Sequence, residues 1–241
     1  MNGLRRTLSI AALVLAASIT GCGTTTALAG HGAATAGGPG QRASVCANLA
    51  SCHLVARIDV DGDGRPDQVG WRRLSKDAVQ IRVQTASGVL VGRRVDVHLW
   101  WGGGAWGGAA PVDGKRGAEL LVGSEQGAHT PMYSMLTYRD GRLVVEASPS
   151  PLSRLWQVDA AYGDYMGWHR HFVDGRAVMT QSIVYRKVDG RSFAGTRVTY
   201  RWNADHWVRS GRSAISFPSE KAASSIGGFH VKGLGAFPGL G

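Results

Sequence analysis

From Val45 onward the apolar residues recur with a period of two. Val79, Ile81 and Val83 alternate with Gln80 and Arg82, and residues 89–99 continue the same way. Alternation of this kind puts one row of side chains into a core and the next into solvent, so it predicts half-buried strands. Further strand-like runs are residues 119–122, 133–138, 143–145, 177–185, 197–202 and 206–208. Helical periodicity is almost absent. Asp140-Gly141, Asp174-Gly175 and Asp189-Gly190 separate several of these runs. Asp-Gly between alternating hydrophobics predicts a hairpin, because a type I′ turn needs positive φ at both central residues. The pattern therefore predicts an antiparallel all-β domain of roughly ten to twelve strands.

One loop carries most of the candidate chemistry. Asp59, Asp61, Asp63 and Asp67 stand at positions 1, 3, 5 and 9 of a run punctuated by Gly62, Gly64 and Pro66. Four carboxylates crowded into one loop call for a counter-charge, and a hard cation with oxygen ligands supplies it. The spacing, with the Arg65 carbonyl at position 7 and Gly64 at the sharp turn, is how a Ca²⁺ loop of the EF-hand kind begins. Position 12 is Gly70 rather than Glu, and the flanks (residues 54–58 and 68–72) read as strands rather than helices. The prediction is a strand, a Ca²⁺ loop and a strand, with Asp59, Asp61, Asp63, Arg65 and Asp67 as the metal set. The alternative is a plain Asp-Gly turn, which does not account for Asp59 and Asp67 at their offsets.

Over residues 59–69 the chain resembles the FG-GAP/VCBS repeat family, whose D-x-D-G-D-G-x-x-D loop joins two strands of a propeller blade. The resemblance implies propeller-like antiparallel sheet units, a secreted or surface β-repeat protein, Ca²⁺ as the cofactor and a binding role. The repeat itself implies no catalysis. A second copy lies 52 residues on, where Asp113 matches Asp61 and Glu119 matches Asp67. Pro111 replaces Asp59 and Lys115 replaces Asp63, so the second loop is expected to hold no metal, with Lys115 pairing with Asp113 or Glu119 instead. A third unit, residues 156–208, lacks the motif unless Asp159 to Asp164 is its remnant. A period near 50 suits four-stranded blades. Residues 45–218 have room for three such units, at most four, which implies a small closed or an incomplete propeller.

The first residues read as an export signal. Arg5 and Arg6 precede an apolar run, residues 8–19, too short to span a bilayer. It ends in Ile19-Thr20-Gly21-Cys22, which resembles a bacterial lipobox and makes Cys22 the expected lipidation site. The alternative is an ordinary secretory signal cleaved near residues 27–29. The expected domains are a lipoprotein signal peptide at 1–21, a Gly/Ala/Thr-rich tether at 22–44, the all-β domain at 45–218 and a loose Gly-rich tail at 219–241, whose apolar tip (Phe229, Val231, Leu234, Phe237 and Leu240) is suited to dock on the domain or on a partner. An exported chain with Cys46 and Cys52 remaining most simply forms one disulfide between them. This address predicts a monomer held by its lipid on the extracytoplasmic face of the cell membrane.

Composition adds a charge of +10 at neutral pH. On an exported chain an anionic lipid or cell-wall polymer is a better counter-surface than nucleic acid, which is not an expected partner. The Arg residues are scattered, so the excess also reads as the codon bias of a GC-rich genome. Trp100, Trp101 and Trp106 on a Gly-rich stretch are either core anchors or an exposed sugar-binding platform. His169 and His171 share one side of a strand. A zinc site there would need a third ligand from His98, His129, His206 or Asp164. There is no Gly-x-Ser-x-Gly elbow, and nothing pairs Glu119, Glu125, Asp159 and Asp164 as acid and base. No catalytic residue is assigned. The expected function is binding or scaffolding at the envelope, toward cell-wall glycan or an envelope protein. The alternative is an envelope hydrolase acting on glycan or lipid around residues 100–106 and 169–171.

Overall fold

In a computed structural model of the chain, residues 44–98, 105–161 and 163–234 are described. The leader, Cys22, the tether, Trp100 and Trp101 lie outside them. The first sheet is a meander of β1 (Cys52–Ile58), β2 (Asp67–Ser75), β3 (Ala78–Gln84) and β4 (Leu90–Asp96). The central sheet runs β5 (Trp106–Ala110), β6 (Glu119–Gln126), β7 (Pro131–Arg139) and β8 (Arg142–Glu146), and the short β9 (Trp156–Gln157) also pairs with β7. The third sheet orders β10 (Asp159–Ala161), β11 (Asp164–Val173), β12 (Arg176–Arg186), β13 (Phe193–Asn203) and β14 (His206–Phe217). A one-turn helix α1 (Glu220–Ser224) and the strand β15 (Gly228–His230) follow. The chain is thus all-β, and every pairing of these strands is antiparallel except that of β15 with β11. No helix among the described residues is long and apolar enough to cross a membrane.

The central sheet is covered on both faces. Leu120, Val122 and Leu136 face the first sheet and pack with Val69, Val79, Ile81 and Val83. Their neighbours Leu121, Tyr133 and Met135 face the third sheet and meet Trp168, Met179 and Tyr200. Six consecutive buried positions in residues 119–124 follow from this, because a strand sandwiched between two layers has no solvent side. The third sheet keeps Tyr165, Val184 and Phe193 on its outer face, under Ala223 and Ile226.

The repeat seen in the sequence is a repeat in register. Leu54 opposes Gly70 and Ile58 opposes Asp67, and 52 residues on Trp106 opposes Val122 and Ala110 opposes Glu119. The irregularity between Leu54 and Ala56 recurs between Trp106 and Gly108. Gln68 opposes Gln84 as Leu120 opposes Leu136. A shared bulge matters because bulges re-aim a strand and pin its pairing. The third sheet keeps none of this register: its strands reach 10 to 12 residues and its hairpins are longer.

The turns follow their chemistry. Asp140 and Gly141 have φ of 47° and 78°, and Asp174 and Gly175 have 51° and 71°, as type I′ turns need. Asp189-Gly190 differs. It belongs to a wider loop in which the Asp189 carboxylate accepts the Arg191 and Ser192 N–H groups at 2.9 Å each. The β13–β14 hairpin turns at Ala204 with φ of 55°, a region that disfavours a Cβ. Ala204→Gly is expected to stabilise the protein by about 1 kcal/mol, read as a rise of about 2–4 °C in Tm. A lower Tm would place the strain elsewhere.

Two expectations about the ends resolve differently. Cys46 and Cys52 are joined as a disulfide. The bridge lies over Gly70, where an added Cβ would come within 3.1 Å of Cys46 Sγ and 3.3 Å of Cys52 Sγ. The tail expected to be loose from residue 219 is instead part of the fold through residue 234. Ser219 caps α1 by accepting from Ala222 N, β15 joins the edge of β11, and Phe229 and Val231 are buried. The apolar tip docks on the domain through Phe229, Val231 and Leu234, and the Gly and Ser residues that read as loose are turns between these anchors.

Candidate metal centre

The acidic loop spans the connection from β1 to β2. Carboxylate oxygens of Asp59, Asp61 and Asp67 lie within 4.8 Å of one another. Three of the four predicted aspartates therefore converge. The fourth, Asp63, turns to Arg65, whose guanidinium lies 2.5 Å from it at the exposed rim. The loop is also shaped by its own backbone. Asp59 accepts Gly62 N at 2.8 Å and Gly64 N at 2.9 Å. Asp67, buried at the start of β2, accepts Val60 N at 2.7 Å and Ala86 N at 2.7 Å. Gly62 and Gly64 have φ of 82° and 85°, so the tight wrap depends on glycine. Partial burial pushes the Asp61 carboxyl up, and the charges of Asp67, Asp63 and Asp59 push it further against one backbone hydrogen bond. That is the electrostatic demand a cation relieves, and the donor set of carboxylate oxygens fits a hard divalent ion.

The second loop reproduces the first with another ending. Glu119 accepts Val112 N at 2.6 Å and Asp113 N at 3.2 Å, as Asp67 accepts Val60 N at 2.7 Å and Asp61 N at 3.2 Å. Lys115 N donates to Asp113 as Asp63 N donates to Asp61. Thr137, the counterpart of Thr85, donates its hydroxyl to Glu119. The cation, however, is not Lys115. Arg139, at the end of β7, pairs with the fully buried Asp113 carboxylate. A branched guanidinium reaches in with a fixed fork of donors, whereas the Lys115 ammonium acts on Asp205. Glu146, from the end of β8, brings a third carboxylate within 4.8 Å of Asp113 and Glu119. One of its oxygens accepts from Trp207 Nε1 at 2.7 Å. Burial, and then the Asp113 charge, push Glu119 up to about 7. Burial and the charges of Glu119 and Asp113 push Glu146 well above the usual carboxylate range.

The two loops touch. Ala118 N donates to Asp59 O at 2.8 Å, and a Cβ on Gly117 would meet Val60 O at 2.4 Å. Arg170 then ties the second loop to the third sheet by donating to Val112 O at 2.7 Å and Asp113 O at 3.3 Å. Thr137 was legible by its offset from Thr85. Arg139, Glu146 and Arg170 were not, because they reach the loop from other strands.

Trp106 opens β5, half-buried against the core between the first and central sheets. His169 and His171 do share a face, with stacked rings 5.5 Å apart. The side chain that joins them is His230, opposite His169 on β15, and not His98, His129, His206 or Asp164. Asp159 is taken by the Thr130 hydroxyl. In comparisons with protein-family models, curated proteins and solved structures, nothing matches this chain.

Proposed function

We propose that this is a Ca²⁺-stabilised β-repeat binding or scaffolding protein, its sheets arranged as blades of an incomplete propeller of the FG-GAP/VCBS kind. The observation that carries the reading is the duplicated sheet with its duplicated loop. One copy ends in converging carboxylates, and the other ends in a buried acid paired with Arg139. In the first loop Asp59, Asp61 and Asp67 would hold the ion, and Asp63 would leave Arg65 to join them. The ion's work there is structural: it offsets like charges and stiffens the β1–β2 connection against the loop of the next sheet. The Cys22 lipobox supports placing the domain at the outer face of a bacterial membrane, where cell-wall glycan or an envelope protein is the partner. Binding is favoured over hydrolysis because Asp113, Glu119 and one oxygen of Glu146 are already engaged by Arg139, Thr137 and Trp207.

A thermal melt in EGTA and in about 10 mM Ca²⁺ tests this. With a dissociation constant on the order of 10⁻⁴ M, as in extracellular Ca²⁺ modules, the ion adds roughly 2.7 kcal/mol. That corresponds to a rise of about 5–10 °C for a domain of this size. Asp61→Ala/Asp63→Ala is expected to abolish the shift. An equal melting temperature in both buffers would leave a plain Asp-Gly turn and remove the ground for the family reading.

A further inference from the structure

The outer face of the third sheet is divided in two. One half is apolar and lies under α1 and Ile226. The other half is polar and open. Strand register sets His230, His169, Thr180 and Thr199 in one cross-strand row, and Ser182 and Arg197 in the next. His171 follows His169 on the same face. These side chains line a groove of about 640 Å³, and no carboxylate lines it.

We propose that this groove binds a phosphoryl group, as inorganic phosphate or as the head of a phosphate monoester, held by Arg197, His169, His171 and His230. The charge balance is the first argument. Arg197 donates to Ser182 Oγ at 3.3 Å and belongs to no ion pair among the described residues. Its guanidinium stays charged at any physiological pH. Three imidazoles stand around it with no acid to offset them, and His171 Nδ1 is buried without a partner. The donor count is the second argument. A guanidinium fork, three imidazoles and the hydroxyls of Thr180, Ser182 and Thr199 outnumber what the two oxygens of a carboxylate accept. A phosphoryl group brings three acceptor oxygens and up to two charges. A metal ion is the weaker occupant, because the three imidazoles do not bring their nitrogens within 4.8 Å of one another and a fixed cation stands beside them.

The site is built to respond to pH. Burial, then His171, His230 and Arg197, hold His169 below the usual imidazole range. The other elements around it add hydroxyls, Thr180 and Ser182 from β12, Thr199 from β13, Ser213 opposite Arg197 on β14 and Ser225 after α1, and one further cation, Arg201 of β13, in the row of His171. An arriving dianion draws a proton onto His169. Affinity for a phosphate monoester therefore rises as pH falls from 8 toward 6, and stops rising near pH 6, where the monoester itself takes up its proton.

The test is an NMR titration of the full chain with glycerol phosphate, a phosphate monoester, read at the imidazole C–H signals, beside calorimetry at pH 6 and pH 8. Shifts at His169, His171 and His230 are expected, with affinity about tenfold tighter at pH 6. Arg197→Met and His230→Gln, both at exposed positions, are expected to weaken it about tenfold each. Vesicles of phosphatidic acid in phosphatidylcholine identify the source. Arg197-dependent capture that glycerol phosphate competes away assigns a lipid headgroup, and glycerol phosphate binding without capture assigns a soluble ligand. No shift at the three histidines with tens of millimolar glycerol phosphate at pH 6, together with no capture, overturns the proposal. So does tight Zn²⁺ binding by all three that Arg197→Met leaves unchanged. Neither readout depends on Ca²⁺.

Discussion

Arg139→Met is expected to destabilise the protein by about 3 kcal/mol at pH 8, and by clearly less at pH 5. Asp113 has no exposed side-chain surface, and Arg139 is the cation paired with it. Removing the guanidinium leaves three carboxylates within 4.8 Å of one another, with only Arg170, which is bonded to the loop backbone rather than to a carboxylate, to offset them. The pH dependence follows from Glu119. Its folded pKa is raised from 4.5 to about 7, so between those values the native state holds a proton that the unfolded chain has released. The stability tied to that proton is fully present below about pH 4.5 and lost as pH rises through about 7. Glu146 is shifted in the same direction, and the loss of Arg139, whose charge holds it down, pushes it further. Exposed Asp189, held down to about 2 by Ser192 and Arg191, acts in the opposite sense and only in acid, so it does not obscure this window. Urea unfolding at pH 5 and pH 8 is the measurement. Glu119→Gln keeps an acceptor for Val112 and Asp113 N–H and is expected to flatten the profile. A cost for Arg139→Met that is under about 1 kcal/mol, or equal at the two pH values, would mean that the cluster does not share charge as argued.

Gly167→Ala is expected to strip the C-terminal segment from the third sheet, at a cost of about 3 kcal/mol or more. Gly167 lies on β11 where β15 crosses, and an added Cβ would fall 1.7 Å from Ile226 O and 2.7 Å from Gly228 O. Both are backbone atoms, so no rotamer change relieves the clash. The segment that must move carries Phe229, packed edge-on to Tyr133 at 5.5 Å, and the buried Val231. Exposing two such side chains costs about 1.5–3 kcal/mol each when fully realised. Hydrogen exchange is the direct readout: the amides of residues 226–234 lose protection while those of the first sheet keep theirs. Gly163→Ala, where nothing lies within 4 Å, is the matched control. Retained protection in the Gly167 variant would show that β15 can be repositioned without leaving. The same variant displaces His230 from the groove.

What the chain declared in its linear order is what local chemistry controls. Period-two alternation marked the strands, and Asp140-Gly141 and Asp174-Gly175 marked tight hairpins because φ preference is a property of the residue itself. The duplication at an offset of 52 was readable from Asp61, Asp67, Asp113 and Glu119, since loops that wrap carboxylates around backbone N–H groups need those side chains at fixed separations. Tertiary structure decided the rest. Which cation faces Asp113 depended on β7 bringing Arg139 to a loop 26 residues away in sequence, and no local pattern distinguishes it from Lys115. The fate of residues 219–234 depended on a bare Gly167 that lets a parallel strand approach, and a glycine's sequence neighbours do not reveal what lies above it. The gathering of His169, His171, His230 and Arg197 likewise required register among β11, β13 and β15. Charge pairing and ligand sites are sums over distant strands, so they exist only once the sheets have been aligned and stacked.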